Sequence, residues 1–267
     1  MTTSVLDAIV AGARRSALDR AEVLRAAVDR QAASATPSAA AFVAGLAEPG
    51  VRVIAECKRR SPSRGVLRRD YDPAAIAVGY EAAGAAAISV LTEPSFFDGS
   101  LDHLRAVRAA VRIPILRKDF IVTEFQLAEA RAAGADAVLL IVAALGDAEL
   151  SAMIEAATSC GLATLVEVHS VEEARRAVGC GAPIVGVNSR DLRTLEMNPH
   201  VFEKVAGVLP KEVVAVAESG ISSAAEVIRL RGLGYRAFLI GERFMTMPDP
   251  GGALKGFLAE AGTGARA

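Results

Sequence analysis

Eight times between residues 51 and 260 a short apolar run gives way to a helical stretch, and that alternation leaves few folds open. Strands are expected at 51–57, 86–91, 113–117, 137–142, 163–168, 183–187, 213–217 and 236–240. Helices are expected near 73–83, 101–110, 123–133, 147–160, 171–179, 199–207, 223–232 and 250–260. Their starts are written in the residues. Asp72-Pro73 offers an N-cap followed by proline at the first helical position. Thr123…Gln126, Ser170…Glu173 and Ser223…Glu226 have capping-box spacing. Gly84, Gly134, Gly161, Gly181 and Gly234 each close a helix a few residues before the next strand. The β runs are too uniformly apolar for a sheet with one wet face, so both faces must be covered. Eight such units point to a (β/α)8 TIM barrel. The rival, an open doubly wound sheet, lacks its usual support, because the chain has neither a G-x-G-x-x-G nor a P-loop.

The 267 residues suit one barrel of about 250 residues with something added. The addition is at the front. Leu6, Ile9, Val10 and Ala13, then Leu18, Leu24 and Val28, recur at helical spacing through 4–34, and Thr36-Pro37-Ser38 breaks the pattern. Residues 1–48 therefore read as a helical extension packed on the barrel, over one of its mouths, and 49–262 as the barrel. Apolar residues make up 52% of the chain but aromatics only 4%, so aliphatic side chains must fill the core. A net charge of −1 exerts no general pull on nucleic acid or membrane. Cys57, Cys160 and Cys180 are too few and too scattered for a disulfide framework or a metal set, and read as reduced core residues. No run is long and apolar enough for a signal peptide or a membrane span, so the expectation is a cytoplasmic protein.

Function in such a barrel gathers at the carboxyl ends of the strands. In VRVIAECK, alternation sends Ile54, Glu56 and Lys58 to one face and Val53, Ala55 and Cys57 to the other. Charges on the inner face of a buried strand are costly unless paired or in use. The later ends repeat the theme. Lys118 follows Leu116 on the inward parity, Glu167 follows Leu165, and Asn188-Ser189-Arg190, Glu218-Ser219-Gly220 and Gly241-Glu242 end the last three strands. Two lysines among only five in the chain thus share a mouth with Glu56 and Glu167, a set suited to proton transfer. A structural ion pair across the barrel top is the simpler reading of each residue alone. Small residues after strands seven and eight leave backbone amides open to a phosphate. His169 takes the outward step beside a helix cap, which disfavours it as a base, and His103 and His200 read as surface residues. The arginines at 59, 60, 64, 68 and 69 lack interleaved aromatics and read as a solvated loop or ligand-facing cations rather than a nucleic-acid patch.

The segments IAECKRRSPS, LTEPSFFDGSLDHL, PILRKDFIV, LVEVHS, VGVNSRDL, AESGI and IGERFM resemble indole-3-glycerol-phosphate synthase in order and spacing, over about residues 40–245. The resemblance implies conversion of 1-(2-carboxyphenylamino)-1-deoxyribulose 5-phosphate to indole-3-glycerol phosphate, CO2 and water, in tryptophan biosynthesis, with no cofactor and no metal. It implies Lys118 as general acid on the ketone and Glu167 as general base in the dehydration. Lys58 would hold the anthranilate carboxylate and is the candidate second proton donor. Glu56 and Asn188 would orient these groups. Ser61, Arg190 and Glu218 would contact the substrate, and Phe97, Phe120 and Leu139 would wall its ring. Ser219, Gly220, Gly241 and Glu242 would hold the phosphate. A small hydroxyl residue often stands where this chain has Glu242. Its carboxylate would repel a phosphate, so only its amide is expected to face the ligand.

Ring closure onto a ketone needs an acid at the oxygen, then a base and an acid for loss of water. A lysine of ordinary pKa, about 10.4, is a weak acid at neutral pH, and a neighbouring cation or desolvation would strengthen it. The loop after Lys58 reads as a flexible cover. Other readings of the same residues are a sugar-phosphate isomerase, a Schiff-base aldolase on Lys58 or Lys118, and a silent barrel that binds a phosphometabolite. The expected partner is a small phosphorylated molecule, with no nucleic acid and no membrane, and the expected state a monomer.

Overall fold

The computed structural model describes residues 5–192 and 194–263. Eight parallel strands close into a barrel in chain order: β1 Arg52–Cys57, β2 Ala87–Leu91, β3 Ile115–Lys118, β4 Ala137–Ile141, β5 Ala163–Val168, β6 Ile184–Asn188, β7 Val214–Glu218 and β8 Ala237–Ile240. β8 returns to β1 with Arg52 opposite Ala237 and Ala55 opposite Ile240. The TIM barrel expected from the alternation is the fold, and strand positions shift by no more than two residues.

Two apolar layers follow from strand parity. Ile54, Leu116, Leu139, Leu165, Val216 and Leu239 fill the barrel interior, while Val53, Ala55, Val138, Val166 and Val185 face the surrounding helices. The five helix-closing glycines all adopt left-handed φ, between 73° and 103°. Ser170 and Ser223 cap as expected, accepting from the N–H groups of Glu173 and Glu226. The two glutamates reach back one residue beyond the cap, accepting from His169 and Ser222.

The extension does more than cover one end. Helix α1 (Val5–Ser34) is about 45 Å long at ~1.5 Å per residue, enough to run the height of a barrel. It lies along α6 (Glu124–Ala133), tied by Arg20 to Glu129, and by Arg14 to Glu149 on α7 (Asp147–Ser159). Its first turns bring Leu6 and Ile9 over the mouth. The apolar segment around Phe42 is helix α2 (Ala39–Ala47), and Phe42 and Leu46 are fully buried beneath the amino ends of the strands. There Gly45 accepts from Arg52 at 2.7 Å, and Asp136 accepts from the Ser38 N–H at 2.7 Å.

Three expectations need correction. Only Cys57 is a core residue, since Cys160 and Cys180 are half-exposed residues at the ends of α7 and α8 (Val171–Gly179). His103 is half-buried against Tyr71 rather than on the surface, because the loop before residue 73 folds back over it. The loop after Lys58 is a hairpin with Arg60–Ser61 paired to Gly65–Val66. Most of its arginines have partners, although Arg64 and Arg69 are exposed: Arg59 and Arg60 meet Asp98, Arg64 meets Glu242, and Arg68 donates to the Met247 and Pro248 carbonyls. Among the described residues, no helix is long and apolar enough to cross a membrane.

Candidate active site

Register sets the functional layer. Asn188 stands opposite Glu218, Glu167 opposite Ile141, Lys118 opposite Leu91 and Glu56 opposite Ser89, all at the carboxyl ends of their strands. They enclose one cavity of about 840 Å³. All fifteen residues singled out from the sequence line it: Glu56, Lys58 and Ser61 from the first strand end; Phe97, Lys118, Phe120 and Leu139 from the next three; Glu167, Asn188 and Arg190; then Glu218, Ser219, Gly220, Gly241 and Glu242.

At the centre, Lys118 Nζ donates to Glu167 Oε2 at 2.5 Å and to Glu218 Oε2 at 2.9 Å. Glu167 and Glu218 are almost completely buried. Burial alone would lower the Lys118 pKa, but Glu167, Glu218 and Glu56 outweigh it and raise it above its ordinary value. The expected acidification of this lysine is therefore absent from the resting arrangement, because three carboxylates surround the one ammonium. Burial would likewise raise Glu167, yet Lys118 and His169 hold it below the usual carboxylate range. Glu218 is pushed up to about 7 by burial first, with Lys118 opposing and its neighbour Glu167 adding to the rise. Its Oε1 is buried and has no hydrogen-bond partner.

A second pair lies across the mouth, Lys58 Nζ to Glu56 Oε1 at 2.7 Å. Glu56 owes its place to Gly241, where a Cβ would come within 2.5 Å of Oε1. Phe120 and Leu139 are buried and Phe97 half-buried, giving one apolar side to the cavity. On the other side Ser219 and Gly220 both have left-handed φ, 63° and 70°, a tight turn directly after β7. Asn188 Oδ1 accepts from the Arg190 N–H, and Ser61 Oγ from the Arg64 N–H. The Glu242 carboxylate turns to Arg64 at 3.1 Å.

A family profile described as indole-3-glycerol phosphate synthase matches residues 6–257. Relatives bearing that name include one from Mycobacteroides abscessus, 48% identical over 97% of this chain and 95% of its own. Another, from Rhodococcus opacus, is 50% identical over 92% of each chain. The chain belongs to the indole-3-glycerol phosphate synthase family. Its activity is the carbon–carbon lyase reaction that produces indole-3-glycerol phosphate in tryptophan biosynthesis. Among solved structures, thiamine phosphate pyrophosphorylase from Pyrococcus furiosus aligns over 81% of this chain and 96% of its own, at TM-score 0.59 and 18% identity. An N-acetylmannosamine-6-phosphate 2-epimerase from Clostridium perfringens gives 0.58 at 13% identity. These share the barrel fold.

Two residues of this synthase site escaped the sequence. Gly186 lies within the expected strand 183–187 with nothing to single it out, but a Cβ on it would overlap Glu218 Oε1, so it makes room for that carboxylate. Gly186 and Glu218 lie on neighbouring strands, and the register Gly186–Val216 was the missing information. His169, set aside as outward-leaning, has a buried ring against Glu167. The capping pair Ser170…Glu173 was the available signal, since it fixes the start of α8 immediately beside that ring.

Proposed function

We propose that in the synthase reaction Lys118 donates the proton to the ketone oxygen as the ring closes, and that Glu167 accepts the ring proton as water is lost. The observation that carries this is one ammonium shared by two buried carboxylates at the floor of a cavity of substrate size. A ketone oxygen entering there replaces a carboxylate on Nζ. Glu218, with its pKa near 7, gives way at the lower electrostatic cost because it can take a proton. Once Lys118 moves to the substrate it leaves a carboxylate-rich setting, and its acidity rises accordingly. Lys58 holds the departing carboxylate and serves as the second proton donor, with Glu56 aiming it. Phe97, Phe120 and Leu139 wall the ring, where weak solvation of a carboxylate favours its loss as CO2. Asn188, Ser61 and Arg190 contact the sugar chain. The turn at Ser219 and Gly220 with the amides of Gly241 and Glu242 takes the phosphate. The Glu242 side chain, paired with Arg64, stays off the phosphate as its charge requires.

These acids and bases suffice for the reaction without a cofactor. A nucleophilic, Schiff-base role for Lys118 fits poorly with an ammonium held charged by three carboxylates. We further infer a monomer acting in the cytoplasm, without nucleic acid, since α1 of the same chain roofs the mouth and no second copy is needed to complete it. The deciding experiment supplies 1-(2-carboxyphenylamino)-1-deoxyribulose 5-phosphate and follows indole fluorescence. Folded protein that gives no turnover would sink the assignment.

A further inference from the structure

Beside the proposed base lies a titratable group that no step above uses. His169 follows β5 directly, and its side chain is only 9% exposed. Nε2 is 3.2 Å from Glu167 Oε1, at ion-pair distance though not aligned as a hydrogen bond, and Nδ1 is 3.3 Å from Glu173 Oε2. The arrangement is anchored outside the ring. Glu173 Oε2 also accepts from the His169 backbone N–H at 2.8 Å, and the Glu173 N–H donates to Ser170 Oγ at 3.1 Å.

A neutral imidazole carries one N–H and turns a lone pair outward from its other nitrogen. Here either tautomer would set that lone pair against a carboxylate. Only the imidazolium offers an N–H to both. The charged groups around it are Glu167 on β5 and Glu173 on α8, with Lys118 of β3 on the far oxygen of Glu167 and Glu218 of β7 behind that. Burial by itself would depress the ring's pKa, but the two glutamates outweigh it and push it up to about 10.

We propose that His169 is a positioning residue, a fixed imidazolium that holds Oε1 of Glu167 while Oε2 does the proton transfer. This rests on the reading of Glu167 as the base. When Lys118 gives its proton to the ketone oxygen it becomes neutral, so Glu167 loses one of its two cations and His169 is the one that stays. It keeps the carboxylate ionised and stops it from rotating, so that one defined oxygen faces the substrate. Glu167 then stays an ionised base after the lysine beside it has given up its proton.

Three measurements on the full-length protein test this. The 15N signals of His169 should show both ring nitrogens protonated at pH 7.5, and a neutral ring there overturns the proposal. His169→Asn removes the cation, so the acid limb of kcat should move up by at least one pH unit. An unmoved limb in a folded variant overturns it as well. Glu173→Gln keeps the ring and withdraws the outer charge. His169 should then titrate at least one unit lower, with kcat declining over the same pH range. A kcat indifferent to that titration counts against the role. Glu167→Gln separates the two levels of argument. Normal turnover in that variant removes Glu167 as the base, and this proposal with it. An inactive Glu167→Gln beside a neutral His169 defeats only the proposal made here.

Discussion

At the scale of single residues, the mouth works through carboxylates outnumbering the cations they touch. Lys118 faces both Glu167 and Glu218, so truncating it strips the proposed acid and also leaves two buried carboxylates together. Lys118→Ala should lower kcat by at least about 10²-fold, the low end for general acid catalysis. If only KM rises in steady-state kinetics, the lysine is a binding group. Gly186→Ala tests the space under Glu218. A methyl there forces the carboxylate aside, which should cost about 1–3 kcal/mol of stability. A displacement of about 1 Å in a catalytic group can cost ~10²-fold in rate, so kcat should fall by about 10- to 100-fold. Urea midpoints and kcat measured together check it, and wild-type values for both would show that Glu218 has room to move. Lysine and glutamate at the strand ends were legible from alternation alone. Gly186 was not, since its importance lies in a carboxylate contributed by the neighbouring strand.

Among the elements, the junction of α1 with the end of β3 carries a consequence for the site. Arg117 is buried and donates to Asp119 Oδ2 at 2.9 Å, to Thr92 Oγ1 at 3.1 Å and to the Gln126 carbonyl at 2.8 Å. Glu129 lies 3.5 Å from the same guanidinium and accepts two bonds from Arg20 of α1, at 2.7 and 2.9 Å. Asp119 stands between Lys118 and Phe120 and accepts from the Phe120 N–H at 2.8 Å. Docking of α1 therefore shares a network with the residues that flank the proposed acid. Arg20→Ala leaves Glu129 with Arg117 alone and should cost about 1–3 kcal/mol, the scale of hydrogen bonds to a charged group. Equilibrium urea unfolding measures it, and a change within experimental error would mean that solvent replaces Arg20 without loss. The sequence announced α1 by its periodicity, but its packing partner was hidden. Arg20 and Glu129 are 109 positions apart, and nothing local in either segment encodes their pairing.

For the whole molecule, the buried charges make stability depend on pH in opposite senses. Glu167 has its pKa depressed, so its contribution is present above the unfolded value of about 4.3 and is lost on acidification through the lower folded value. His169 has its pKa raised. Its contribution is complete below the unfolded value of about 6.5 and is lost as the pH rises through about 10. Thermal midpoints of wild type and His169→Asn should therefore converge between pH 7 and 10. A constant gap would mean that His169 is not charged in the folded state. The eightfold alternation, the helix caps and the inward parity of Glu56, Lys58, Lys118 and Glu167 were determined by the sequence alone, because each is a local pattern set by backbone period and side-chain type. Closure of the sheet decided the rest. It brought Lys118 against Glu218 across 100 positions, set His169 beside Glu167, and carried α1 from one end of the barrel to the other. Such contacts depend on strand stagger and on which surfaces bury together, and these are properties of the assembled barrel rather than of any stretch of the chain.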